Sequence, residues 1–204
     1  MKERRLVVSF DLDDVITHTA YNVIDYYKQT HGHVVDPAHF YEGTPEDWGV
    51  TELIEINRRI ERYFRTKEFG RIACIPDPEA LIVIPELAKQ HELHIVTGRA
   101  KFMRKFTDAL VEEHFPDCFS SIVHTNFFKK SNSRTKGQVC RDLGVDVHVD
   151  DHLVHCESVL NAGIEHAIAF GDYEWNRREL VHPGLRRSLG LKATQMEISN
   201  IAAA

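Results

Sequence analysis

Three carboxylates lie within four residues near the start of the chain. Asp11, Asp13 and Asp14 directly follow the short apolar run 6–10, which has the composition of a buried parallel strand. Ligands bind to open parallel sheets at the carboxyl ends of the strands, and crowded carboxylates repel one another unless a cation lies among them. Oxygen ligands of this kind suit Mg²⁺. The ordinary structural alternative is an acidic turn in which Asp11 caps the next segment, since an Asp-x-Asp pattern alone is common.

A second run, 93–97, ends in the sequence Thr97-Gly98-Arg99. A hydroxyl followed by glycine at a strand-to-helix turn can present its oxygen and backbone N–H groups to a phosphate. The same pair also serves as an ordinary helix N-cap. Arg99 could contact a substrate phosphate or pair with a carboxylate of the segment 17–76, and the sequence favours neither.

A third run, 145–149, ends in the adjacent carboxylates Asp150 and Asp151. Because strand ends of a parallel sheet meet at one edge, this pair and the acidic group after the first run can surround one cation. The sequence does not indicate which of the two aspartates would contact the metal directly.

One basic residue is placed to assist at such a site. Lys136 precedes the helical pattern 137–143 and could bring an ammonium group beside a bound phosphate. Lys129 and Lys130 are alternatives on the same loop. For any single lysine, a solvated surface position is the commoner outcome.

The elements that must position these residues alternate along most of the chain. Strand-like runs occupy 6–10, 93–97, 121–124, 145–149 and 164–170, and helical patterns occupy 80–88, 102–110 and 137–143. Strands alternating with helices of this length predict an α/β fold in which helices cover both faces of a parallel sheet.

The segment 17–76 interrupts this alternation. It holds two helical patterns, 21–28 and 53–64, joined by the loop 39–48, which is rich in aromatic and turn-forming residues. Helix follows helix without a clear strand, so we interpret the segment as a helical insertion. The predicted domains are therefore an α/β core, formed by 1–16 and 77–204, and this insertion.

Aromatic residues of the insertion are candidates for substrate recognition. A nucleobase could stack on Tyr41, Trp48, Phe64 or Phe69, although aromatic residues in a small unit more often form its core. Trp48 lies outside the apolar stripe of the pattern 53–64, so it is the stacking candidate that we favour.

Composition excludes several classes of protein. The 204 residues are 43% hydrophobic and 27% charged with a net charge of −6, as expected of a globular protein with a real core. The acidic balance argues against a nucleic-acid polymer as partner. No apolar run approaches the roughly 18 residues of a membrane helix, and the run 6–10 is too short for a signal peptide. We therefore expect no membrane partner.

Cysteine and histidine content bears on compartment and metal type. Cys74, Cys118, Cys140 and Cys156 are widely spaced, which indicates free thiols in a reducing, cytoplasmic setting. Three of the 13 histidines, His148, His152 and His155, lie near the Asp-Asp pair and could indicate a transition-metal cluster. No HExxH motif or Cys/His ladder supports that interpretation, so we favour ordinary polar positions at helix starts and strand edges.

The motifs follow one another in a definite order. An Asp-x-Asp pair, a strand-end threonine, a lysine and an Asp-Asp pair occur in sequence, each near a predicted strand end. In this order and with these residue types, the chain resembles the haloacid dehalogenase-like (HAD) hydrolase superfamily over residues 6–170. The resemblance implies a Rossmann-like, three-layer α/β core with a small helical C1-type cap, which would be the segment 17–76.

The resemblance also implies a role for each motif. Asp11 would be the nucleophile that becomes an aspartyl-phosphate, and Asp13 the general acid that protonates the leaving group and then activates water. Thr97, with Gly98 beside it, and Lys136 would hold the phosphoryl oxygens. The Mg²⁺ cofactor would bind to the carboxylates of Asp11, Asp150 and Asp151 and to the carbonyl of Asp13. Phosphoryl transfer needs mainly positioning and charge stabilisation, which such a set supplies.

A narrower resemblance concerns the substrate. The segments 10–15, 95–99, 136–140 with 149–151, and 170–176 are similar to those of cytosolic 5′(3′)-deoxyribonucleotidases, the type C 5′-nucleotidases. This implies a phosphomonoesterase acting on nucleoside monophosphates. The alternatives are a HAD phosphatase or phosphomutase for another small phosphorylated metabolite, such as a sugar phosphate, and a non-enzymatic HAD-like binding or regulatory domain. The oligomeric state is left open, with a homodimer among the alternatives.

Overall fold

A six-stranded parallel sheet forms the centre of the molecule. The computed structural model describes residues 4–72, 74–125 and 134–204. The sheet has the order β3-β2-β1-β4-β5-β6 and every neighbouring pair is parallel. The strands are β1 (Val7–Phe10), β2 (Glu92–Thr97), β3 (Ser121–His124), β4 (Val147–Asp150), β5 (His166–Phe170) and β6 (Leu185–Ser188). The predicted α/β class with a parallel sheet is confirmed.

Eight α-helices accompany the strands in the described ranges. They are α1 (Ala20–His31), α2 (Leu53–Phe64), α3 (Lys67–Ile72), α4 (Ala80–Gln90), α5 (Arg104–His114), α6 (Lys136–Asp142), α7 (Leu153–Asn161) and α8 (Leu191–Ala203). No pattern in the sequence predicted α3, α7, α8 or the last strand, β6. None of these helices combines the length and apolar character that a membrane crossing requires.

The strand order determines where a site can form. β1 lies between β2 and β4 and is hydrogen-bonded to both. The chain passes from β1 to one side of the sheet through β2 and β3, and then to the other side through β4. This reversal leaves a crevice at the carboxyl end of β1, the usual ligand position in open α/β sheets. Residues that follow β1, β2 and β4 therefore face one another.

The segment 17–76, hereafter the cap, leaves the sheet and returns to it at one point. Thr17 forms isolated bridges with Asp13 and Pro76, and the Asp77 amide donates to the Ile16 carbonyl oxygen at 2.8 Å. In its described residues the cap holds α1, α2 and α3 without a named strand. Buried cap side chains belong to the same hydrophobic cluster as Phe10 of β1, so cap and sheet share one continuous core.

Candidate active site

Three carboxylates converge at the crevice. Asp11, Asp150 and Asp151 are buried, and each offers an oxygen within 4.8 Å of the others. The Asp11 amide donates to the carbonyl oxygen of Val149 at 2.8 Å, which continues the pairing of β1 with β4 just past the end of β1. The two strand-end motifs that the sequence places 139 positions apart (150 − 11) thus meet at one edge of the sheet.

Lys136 supplies the cation that the carboxylates need. Its ammonium group lies 2.8 Å from Oδ2 of Asp11 and 2.6 Å from Oδ2 of Asp150. These partners raise the pKa of Lys136 although burial opposes its charge. Thr135 and Gln138 form a reciprocal capping box at the start of α6, and this fixes the first residue of the helix beside the crevice. The rival lysines at 129 and 130 lie outside the described residues.

Close helix packing also places this lysine. A Cβ atom at Gly137 would lie 2.2 Å from the carbonyl oxygen of Ser158 in α7. Only glycine therefore permits the close approach of α6 to α7 that carries Lys136 to the strand ends.

The carboxylates differ in how easily they ionise. Burial raises the pKa of Asp11 to about 6 against the opposing effect of Lys136. Burial, with the nearby charges of Asp14 and Asp150, raises the pKa of Asp151 well above its usual value. For Asp150 burial acts in the same direction, but Lys136 and neighbouring histidines outweigh it and lower the pKa. If all three carboxylates ionise, their negative charge exceeds the single positive charge of Lys136.

His148 is a support for Asp150 and not a metal ligand of its own. Its Nε2 lies 2.9 Å from Oδ2 of Asp150, and its Nδ1 lies 2.8 Å from the Ser9 hydroxyl. The His152 amide donates to Oδ1 of Asp150 at 3.0 Å, and the His152 side chain caps α7. The metal-binding group found in the described residues contains only aspartates.

The cluster fits a hard divalent cation. Oδ1 of Asp11 is buried and has no hydrogen-bond partner among the described residues, an arrangement that is costly unless something else satisfies the oxygen. Three carboxylate oxygens in one buried group match the all-oxygen preference of Mg²⁺. Cysteine is absent from this group, as expected for a site that does not favour zinc.

Asp13 is not part of this metal-binding group and pairs with Arg99. Nε of Arg99 lies 3.0 Å from both carboxylate oxygens of Asp13, and Nη2 lies 2.7 Å from Oδ1. The Thr19 hydroxyl donates to the same carboxylate. Although burial opposes ionisation, these contacts with Arg99 lower the pKa of Asp13 below its usual value. Of the two roles left open for Arg99, pairing with a carboxylate is the one observed, but the partner, Asp13, belongs to the first motif and not to the segment 17–76.

Arg99 also connects this motif to the cap. Its guanidinium group is buried, lies 5.3 Å from the ring centroid of Phe69 in α3, and donates to the Thr107 hydroxyl of α5. A cationic group against an aromatic face is a favourable contact. Arg99 is therefore enclosed by cap and core together.

Thr97 is the buried last residue of β2. Its hydroxyl oxygen accepts a hydrogen bond from the Arg99 amide at 3.2 Å, which closes the turn through the half-buried Gly98. Because β2 runs parallel to β1, Thr97 emerges at the same edge as Asp11. The accepting bond leaves the hydroxyl proton free to be donated.

Trp48 cannot serve as the stacking surface that the sequence favoured. Its side chain is 1% exposed and packs edge-on against Tyr27, with ring centroids 5.1 Å apart, and against Phe40. The prediction is wrong because the loop 39–48 folds back and adds Trp48 to the cap core. Position outside a helical stripe did not mean exposure here.

Other aromatic residues line the crevice instead. Trp175 donates its indole N–H to Oδ2 of Asp151 at 2.8 Å and stacks on Tyr173, with ring centroids 4.6 Å apart. Tyr41 of the cap is 42% exposed and lies edge-on to both Trp175 and His152. Tyr41 was among the candidates from sequence, whereas Trp175 and Tyr173 were noted only as part of the segment 170–176.

Asp14 is a further residue whose function the sequence did not indicate. Its backbone has φ of 60°, and its carboxylate accepts hydrogen bonds from the Thr19 and Ala20 amides at the start of α1. Burial and the charge of Asp13 raise the pKa of Asp14 to about 8. The third acid of the first motif thus anchors the first cap helix.

Three solved structures similar to this chain illustrate its fold. A HAD-like hydrolase from Streptococcus pneumoniae has a TM-score of 0.67 and 14% identity, covering 97% of this chain and 98% of its own. A Clostridium acetobutylicum protein described as a predicted phosphatase has a TM-score of 0.68 and 15% identity, covering 96% and 98%. A Bacillus subtilis protein described as a HAD-hydrolase bound to magnesium has a TM-score of 0.62 and 12% identity, covering 99% and 100%.

These similarities establish the Rossmann-like fold of HAD hydrolases for this chain. No protein-family model and no curated protein matches the sequence.

Proposed function

We propose that this protein is a Mg²⁺-dependent phosphomonoesterase that works through an aspartyl-phosphate on Asp11. The observation that carries the proposal is the convergence of Asp11, Asp150 and Asp151 around the ammonium group of Lys136 at the switch point of the sheet. A buried acidic group beside a lysine can hold a cation and a phosphate together, and phosphoryl transfer needs little more.

Asp11 is the proposed nucleophile. With a pKa of about 6 it is ionised at neutral pH. A carboxylate oxygen of Asp11 forms a bond to phosphorus while the bond from phosphorus to the ester oxygen breaks. Lys136 and the hydroxyl of Thr97 hold the phosphoryl oxygens during this transfer. Water then attacks the phosphorus of the aspartyl-phosphate, which releases inorganic phosphate and restores the carboxylate.

The proposed cation would be held by Asp11, Asp150 and Asp151. When bound, Mg²⁺ would neutralise the repulsion between the phosphate and these carboxylates. The remaining requirements, orientation of the phosphate and protection from bulk water, are met by the buried strand ends themselves.

Asp13 is the proposed proton-transfer group, and its contact with Arg99 affects when it can carry a proton. Pairing with Arg99 keeps Asp13 ionised, which is the form that can accept the proton of the attacking water. To protonate a leaving group first, it must bind a proton, which the guanidinium disfavours. We infer that the contact between Asp13 and Arg99 loosens when an ester with a basic leaving group is bound.

Among small phosphorylated metabolites, we propose nucleoside monophosphates as the substrate. The support is the aromatic rim formed by Tyr41 and Trp175, whose ring centroids lie 5.5 Å apart beside the carboxylates. A planar base attached to a phosphate in the crevice could stack on the exposed part of Tyr41.

The activity is tested by phosphate release from a panel of phosphate monoesters, with Mg²⁺ and with EDTA. Mg²⁺-dependent release is expected, and Asp11→Asn should abolish it without loss of folded structure. The matched control is Asp142→Asn, the same change at an exposed carboxylate that pairs with Arg134. Absence of Mg²⁺-dependent release from every ester would refute the enzyme and favour a binding domain of this fold.

The substrate class is tested by comparing nucleoside monophosphates with sugar phosphates. We expect a higher kcat/KM for nucleotides, and Tyr41→Leu should raise KM for a nucleotide but not for a sugar phosphate. Equal kcat/KM values for the two classes would remove the nucleotidase assignment and leave the more general phosphatase.

A further inference from the structure

A tryptophan outside the four motifs binds a proposed metal ligand directly. The indole N–H of Trp175 donates to Oδ2 of Asp151 at 2.8 Å. An indole is a donor only, so it can hold a carboxylate oxygen but cannot compete for the cation. Because a carboxylate has about four lone-pair sites, Asp151 can accept this bond and still offer an oxygen to the cation.

The residue after this tryptophan holds the backbone of the same aspartate. The Asn176 side-chain amide donates to the carbonyl oxygens of Asp151, at 3.0 Å, and Phe170, at 2.7 Å. Arg187 of β6 in turn donates to the side-chain oxygen of Asn176 at 2.9 Å and to its carbonyl oxygen at 2.6 Å. Trp175 therefore holds the side chain of Asp151, and Asn176 holds its backbone. Asn176 is itself held by Arg187 of the edge strand β6.

Ring contacts on two sides fix the indole itself. Tyr173 stacks on Trp175 with an interplanar angle of 4°, and the Tyr173 hydroxyl donates to the carbonyl oxygen of Asp14 at 2.9 Å. From the cap, Phe40 and Tyr41 approach Trp175 with ring centroids at 5.9 and 5.5 Å. The orientation of the indole thus depends on both core and cap.

We propose that Trp175 is a positioning residue of the metal centre, which orients Asp151 for Mg²⁺ through its indole N–H. The inference rests on the proposed Mg²⁺ dependence of the site. Groups that hydrogen-bond to metal ligands fix the ligand's orientation, and their loss weakens metal affinity by roughly 10- to 100-fold.

The first test is Mg²⁺ binding by calorimetry to the wild-type protein, Trp175→Phe and the control Trp48→Phe. Phenylalanine keeps an aromatic ring for Tyr173 and Tyr41 to contact and removes the N–H donor together with part of the indole's volume, so Trp48→Phe controls for the same loss of volume. We expect Trp175→Phe to bind Mg²⁺ at least about tenfold more weakly, and Trp48→Phe, in the cap core, to bind it as the wild type does. Equal or tighter binding by Trp175→Phe would overturn the inference.

The second test leaves Trp175 in place. The chain has two tryptophans, so Trp48→Phe makes Trp175 the only indole that emits. Adding Mg²⁺ should change its emission, since its donor is bonded to a carboxylate that binds the cation. Unchanged emission at Mg²⁺ concentrations that calorimetry shows to be saturating would contradict the inference, and this result stands even if Trp175→Phe does not fold. Failure of the wild-type protein to bind Mg²⁺ would instead refute the metal centre and the proposed function.

Discussion

Replacing Lys136 by methionine tests whether the buried ammonium group is the charge that holds the site together. The side chain is 1% exposed and bridges Asp11 and Asp150, whose side chains are 9% and 0% exposed. Methionine has similar length and no charge, so the substitution preserves packing and leaves two buried carboxylates without their cation.

The expected loss in the free energy of unfolding follows from this burial. Removal of one partner of a buried ion pair costs about 3–5 kcal/mol, because the remaining charge stays buried and uncompensated. In a chain of this length that corresponds to a fall in Tm on the order of 10 °C. The loss should shrink at mildly acid pH, since Asp11, with a pKa of about 6 even beside Lys136, then takes up a proton. Added Mg²⁺ should also restore part of the stability, because it supplies positive charge to the same carboxylates.

The assay is urea unfolding in EDTA at neutral pH, repeated with Mg²⁺. The matched control is Lys192→Met, the same change in an exposed lysine whose ammonium group lies 3.6 Å from Glu79. For such a surface pair the expected loss is below about 1 kcal/mol. If Lys136→Met lowers the free energy of unfolding no more than Lys192→Met does, the electrostatic account of the site is refuted.

Three further predictions concern catalysis, pH and packing. Asp13→Asn should slow the first-turnover release of the alcohol from alkyl phosphates by roughly 10²- to 10⁴-fold, but slow the first-turnover release of nitrophenol, which leaves without a proton, far less; equal losses in this step would argue against protonation of the leaving group by Asp13. Burial lowers the pKa of His94 below 6.5, so the folded protein binds a proton at His94 less readily than the unfolded chain does. The free energy of unfolding is therefore unaffected by His94 above that pH and decreases as the pH falls below it. His94→Gln should therefore weaken the pH dependence of unfolding, and an unaltered dependence would count against this. Gly137→Ala should destabilise the protein by about 1–2 kcal/mol in urea unfolding despite the better helix propensity of alanine, because the new Cβ would meet the Ser158 carbonyl oxygen; a gain in stability would contradict the packing argument.

The residues that follow strands could be placed from the sequence because the argument needs only local patterns and one topological rule. Short apolar runs identify β1, β2 and β4, and parallel strands bring their carboxyl ends to one edge. Asp11, Thr97 and Asp150 then lie at that edge without knowledge of any side-chain contact.

Residues defined by long-range contacts could not be placed in this way. Arg99 pairs with Asp13 across 86 positions of sequence, and no local pattern selects that partner over others. Trp48 is buried because Tyr27 and Phe40 pack on it, which the sequence of the loop does not show. The last strand, Leu185–Ser188, contains two arginines and so lacks the apolar run of a central strand, as is common at a sheet edge.

The most direct test of the central claim is to trap the phosphoenzyme. The protein is mixed with a labelled phosphate ester that it hydrolyses, quenched with acid within a turnover, and digested, and the phosphorylated peptide is sequenced by mass spectrometry. The account predicts a phosphoryl group on Asp11 that forms and decays at rates able to support turnover and is absent from Asp11→Asn. Turnover with no phosphorylated peptide, or with the phosphoryl group on another residue, would contradict it.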